Sequence, residues 1–134
     1  MKIKSVLVAL AVLVLVLPLA SQKASDVYRG LKYDKNAEVK LNGSVEEVQE
    51  FDCPVSQALG YHALVKTTGG TLVVHTAPVK FMKQYGLELA VGDKLEIVGA
   101  KLKDAAGKET VLAREITRDN ATFRFRNTEG KPIW

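Results

Sequence analysis

Cysteine is almost missing from this 134-residue chain, with Cys53 standing alone. A single cysteine excludes an internal disulfide, so packing must hold the fold together. Histidine is nearly as scarce, limited to His62 and His75. One tryptophan, four tyrosines and four phenylalanines leave few rings on which nucleic-acid bases could stack. The motifs of nucleophilic, zinc-protease and nucleotide chemistry (G-x-S-x-G, H-E-x-x-H, the P-loop) do not occur. Ser44 and Ser56 have no evident His and carboxylate partners. The chain is therefore expected not to be an enzyme.

A membrane-spanning stretch is also lacking. The longest apolar run, Val6 to Ala20, is interrupted only by Pro18. Its 15 residues fall short of the ~20 that a spanning helix needs. Lys2 and Lys4 precede it, which gives the charge and length pattern of a secretory signal peptide. The cleavage site is poor: either Leu19 or Pro18 occupies the position where a small residue is needed. Cleavage and retention as an N-terminal anchor both stay open. No cysteine follows the run to carry a lipid. The expected location is periplasmic or secreted, or tethered to the inner membrane by this segment. We divide the chain into 1–20 as signal peptide or anchor, 21–36 as linker and 37–134 as the folded domain.

Excess charge disappears with the first segment. The full chain carries net +4, but without Lys2 and Lys4 it holds 17 basic and 15 acidic residues, or +2. Nothing in that balance demands the basic stripe of a nucleic-acid surface.

What the domain does have is alternation. Val39, Leu41, Gly43 and Val45 share one face, and then Val48 and Phe51 fall out of phase. Such a slip predicts a bulge or bend in a long first strand. Residues 60–67 and 71–77 flank Thr68-Gly69-Gly70, a hairpin signal. Pro78 and Gly86 bracket a two-turn helix, with Phe81, Met82 and Tyr85 on one side. Strands follow at 94–102, 109–117 and 121–126. This order predicts an all-β fold, a small five-stranded OB-fold-like Greek-key barrel with one short helix between strands 3 and 4.

The stretch GYHALVKTTGGTLVVHTAPVKFMKQYGLELAVGDKLEIVGAKL, followed by VLAREIT and FRFRNTEGKPIW, resembles a family of exported bacterial OB-fold proteins of largely uncharacterised function. The resemblance covers roughly residues 37–134. It rests on a V-H-x-x-P segment, a Gly-Asp turn, an A-R-E strand and an R-x-x-x-G-x-P-x-W ending. Thr76-Ala77 stands where the family pattern has Leu-Gly, and Asn127 where it has Asp. The resemblance implies a fold and an exported binding module, and it supplies no activity.

The two histidines carry the sharpest chemical signal. A hairpin centred on Thr68-Gly69 sets His62 opposite His75, with side chains about 5 Å apart. Their face also bears Leu64, Lys66, Thr71 and Val73 and is the outward, semi-polar one. His62, Leu64, Lys66, Val73 and His75 are thus the candidate ligand surface. Imidazole pairs take copper, zinc or nickel. Cys53, in the loop before strand 2, and Met82, on the helix, would complete a sulfur-containing set for a Cu or Zn ion. The competing reading makes both histidines ordinary exposed strand residues, Cys53 a small loop hydrophobe and Met82 core. Lys66, Arg114, Arg124 and Arg126 do not interleave with exposed rings, so nucleic acid is the weaker alternative ligand. The sequence thus points to a non-catalytic envelope module whose partner is an unidentified envelope protein or small ligand. Contact with the membrane is expected only through residues 1–20, if they are retained.

Overall fold

The computed structural model of the chain describes residues 24–134, so the predicted signal or anchor at 1–20 lies outside the described residues. Six strands form one sheet: β1 (Glu38–Cys53), β2 (Ala58–Thr67), β3 (Gly70–Pro78), β4 (Lys94–Lys103), β5 (Glu109–Arg118) and β6 (Ala121–Arg124). The strand order is β3-β2-β1-β4-β5-β6. A parallel pairing of β3 with β5 closes β1 to β5 into a barrel. A short helix, α1 (Val79–Gln84), lies between β3 and β4. This is the expected five-stranded OB-like barrel, with β6 added at the edge.

The long first strand shows why the alternation slips. Its register against β2 shifts between Val45 and Glu47, a β-bulge. Ahead of the bulge Val45 faces the core, and beyond it Val48 does. Phe51 is thereby turned to the outer face, where its ring stacks on His62. Ser44 pairs with both Lys94 and Lys66, so β1 passes from one neighbour to the other at this point. Gly43 allows that crossing, because a Cβ there would collide with the Val65 side chain and the Lys66 carbonyl.

The barrel is filled by Val45, Val65, Val74, Ile97, Val111 and Ile116, and α1 adds Val79 and Met82 to the same core. Tyr61 points inward. Its hydroxyl accepts from the Leu89 N–H at 2.9 Å, which satisfies a buried polar atom. Of the two phenylalanines at the C-terminal end of the sheet, Phe125 is buried and Phe123 only half-buried.

The described part of the segment expected to be a linker, residues 24–36, is folded against the barrel. A 3-10 turn at Ala24–Tyr28 buries Tyr28, and the Ala105 N–H donates to the Val27 carbonyl at 2.9 Å. A second turn, Lys35–Ala37, is capped by the Asp34 carboxylate, which accepts from the Asn36 N–H at 2.9 Å.

Candidate metal centre

The hairpin delivers the predicted pairing, since His62 and His75 are directly opposite one another on β2 and β3. Their ring centroids are 4.7 Å apart, edge to face. The expectation of an exposed ligand face is overturned. His62 is 1% exposed and His75 4%. The reason is a cover that alternation alone does not reveal. Tyr28 sets its ring edge-on to His75 at 4.4 Å, and Phe51 stacks nearly flat on His62 at 3.8 Å. The outer face of β1 to β3 therefore carries a second, aromatic core beneath residues 24–28.

Cys53, at the end of β1, completes the group. It is 3% exposed, and its Sγ lies 3.6 Å from Nδ1 of His75. One ligand atom from each of Cys53, His62 and His75 falls within 4.8 Å of the others. Gly60 makes room for this approach. A Cβ there would sit 2.6 Å from Cε1 of His62 and 3.1 Å from Cβ of Cys53.

The tautomer of His75 follows from its hydrogen bonds. The Thr110 hydroxyl donates its one proton to the Val73 carbonyl at 2.8 Å. Thr110 Oγ1 must then accept from Nε2 of His75, 2.9 Å away. That leaves the lone pair on Nδ1, directed at the sulfur. A hydrogen bond to the nitrogen that does not face the metal fixes ring orientation and tautomer at metal sites. The parallel β3–β5 pairing, with Val73 opposite Thr110 and His75 opposite Leu112, brings Thr110 there.

His62 is less satisfied, for its Nδ1 is buried without a hydrogen-bond partner. Buried nitrogens of this kind are rare and costly in a finished core. Burial lowers the pKa of His62 to about 4 and that of His75 to about 3, so both rings are neutral near pH 7. Burial pushes the Cys53 thiol up, against the pull of backbone groups at Val55 and Ser56. Two neutral imidazoles and a thiol that can lose its proton to solvent on metal binding make a transition-metal donor set.

The other predicted site residues do not join this group. Met82 is buried in the barrel core and does not line the cavity beside Cys53, His62 and His75. The alternation placed the histidines outside the barrel, while α1 sends Met82 inside. Leu64 and Val73 border a neighbouring groove of about 620 Å³ together with Tyr28 and Thr110. Lys66 belongs to a separate groove with Ser44 and Thr67. Sequence reasoning missed Tyr28, Phe51 and Thr110. The bulge phase could have revealed Phe51, but nothing local marks the other two.

The arginines are engaged within the chain. Arg114 binds Glu38 through Nε at 3.1 Å and Nη2 at 2.6 Å, and Tyr33 donates to the same carboxylate at 3.0 Å. Arg118 reaches Asp93 at 3.1 Å. Arg126, 6% exposed, lies between the rings of Tyr33 and Trp134 and donates to the Gly130 carbonyl at 2.9 Å. The arginine, glycine and tryptophan of the C-terminal motif thus form a clasp.

No curated protein matches the chain. Residues 37–123 match a bacterial family, which narrows the resemblance read from the motifs; the covering turn at 24–28 and the clasp lie outside the match. The match spans well over half of the chain, which therefore belongs to the MamS/MamX magnetosome protein family.

Proposed function

We propose that this chain is a non-catalytic accessory module that holds a transition-metal ion, copper or zinc, through Cys53, His62 and His75. It would act on the far side of the cytoplasmic membrane, in the magnetosome setting that its family name prints. The observation that carries the reading is the buried cluster itself, with three ligand atoms inside 4.8 Å and one imidazole nitrogen left without a partner. The apolar run at residues 6–20 supports the location. Nucleic acid is set aside because Arg114, Arg118 and Arg126 already serve internal contacts.

Titration of the full chain with Zn(II), and with Cu(I) under anaerobic conditions, tests the reading. Saturable binding of one ion per chain is expected, lost in Cys53→Ser and in the double variant His62→Ala/His75→Ala. Binding that survives both changes, or none at all in the parent chain, overturns it.

A further inference from the structure

Resting on that reading, we propose that the resident ion is copper, held as a trigonal thiolate–bis-imidazole centre that carries one electron. Coordination number separates copper from zinc at this site. Zinc is almost always four-coordinate, with protein donors or with a water in the fourth position. Here the described residues provide three ligating side chains. The hydroxyls lining the cavity keep their protons in hydrogen bonds, and a neutral hydroxyl is a weak ligand beside a thiolate and imidazoles. Thr76 donates to the Tyr61 carbonyl at 2.6 Å, Ser56 donates to the Ala58 carbonyl at 3.2 Å, and the Tyr61 hydroxyl is bonded at Leu89. The cavity measures about 10 Å³, which is room for one small sphere and not for an ion with a water. A site limited to one soft sulfur and two imidazoles is the donor set of copper electron-transfer centres, whose axial contact is long and weak.

The separation of Cys53 and His75 suits an ion held between them. Metal–sulfur and metal–nitrogen bonds of about 2.3 and 2.0 Å, opened to about 120°, set sulfur and nitrogen roughly 3.7 Å apart. Cys53 Sγ and His75 Nδ1 stand at 3.6 Å. His75 presents Nδ1 because Thr110 holds Nε2.

Isolation protects the chemistry. Two thiolates meeting two Cu(II) ions become a disulfide and two Cu(I). Cys53 is the chain's sole thiol and is 3% exposed, so a second sulfur is kept away. On binding, the Cys53 thiol releases its proton to solvent and its sulfur bonds to Cu(II). The centre then accepts one electron from a one-electron donor to give Cu(I), with the Cu–S bond retained, and returns it to a one-electron acceptor.

The test adds one equivalent of Cu(II) sulfate to the full chain without oxygen. An intense visible thiolate-to-copper charge-transfer band is expected, with the electron paramagnetic resonance of one Cu(II) per chain. Ascorbate, as electron donor, should bleach both signals, and ferricyanide should restore them over repeated cycles. Cys53→Ser should lose the band entirely. Resonance Raman on the unaltered chain should show a Cu–S stretch, a readout that does not depend on any variant folding. Saturable Cu(II) binding with no charge-transfer band overturns the copper centre while leaving metal binding intact, and so does bleaching that ferricyanide cannot reverse. Absence of any bound metal would remove both readings.

Discussion

Thr110 shows how much one hydroxyl can decide. It accepts from Nε2 of His75 and donates to Val73, so it fixes which nitrogen faces Cys53. Thr110→Val keeps the shape and leaves the Nε2–H buried and unpaired, at a cost of roughly 1–3 kcal/mol. Metal affinity should fall about 10- to 100-fold, as measured by competition with a chelator. The histidines also make a prediction about acid. Their folded pKa values, about 4 and about 3, lie below the unfolded value of 6.5. Well above pH 6.5 neither state binds the proton, and the histidines add no slope to stability. As pH falls from 6.5 toward 4, the unfolded chain takes up protons that the folded chain refuses, so stability drops. The slope approaches about 1.4 kcal/mol per pH unit for each histidine. Urea unfolding of the metal-free chain at several pH values between 7 and 4 checks this, and a flat profile in that window contradicts it.

At the scale of elements, the barrel was legible in the sequence and the site only half so. Alternation, the Thr68-Gly69-Gly70 turn and the Pro78 boundary are local signals, and they yield β1 to β5 and α1 nearly in place. The hairpin register, and with it the facing histidines, follows from the same turn. What alternation cannot state is which face stays wet. A polar-looking outer face becomes a core when another segment lies on it, and Ala24–Tyr28 has too little pattern to announce that role. Tyr28→Ala tests the cover. Removing the ring should cost on the order of 3 kcal/mol. It should also let water reach His75, whose pKa is then expected to rise from about 3 toward 6.5, as followed by NMR titration of the ring protons. The bulge in β1 is the other informative element. Gly43→Ala would drive a methyl group against the Lys66 carbonyl and Val65, and should destabilise by roughly 1–3 kcal/mol in urea unfolding.

For the whole molecule, two cores share the sheet. The aliphatic one fills the barrel, and the aromatic one lies outside it around Cys53, His62 and His75. A metal that binds only the folded state at 100 times its dissociation constant adds about 2.7 kcal/mol. For a domain of this size the midpoint of thermal unfolding should rise by roughly 10 °C, and calorimetry with and without Zn(II) measures it. The parallel seam between β3 and β5 gives this coupling a direction in time. Cys53, His62 and His75 are near neighbours in sequence, and an unfinished chain brings them together through the β2–β3 hairpin and the end of β1. Thr110 is 35 residues beyond His75 and arrives only when the last barrel strand docks. Long-range closure of this kind comes late in folding. On the proposed metal site, the folding chain would have its donor atoms early and their correct tautomer last, so tight metal capture would be a checkpoint that only a finished barrel passes.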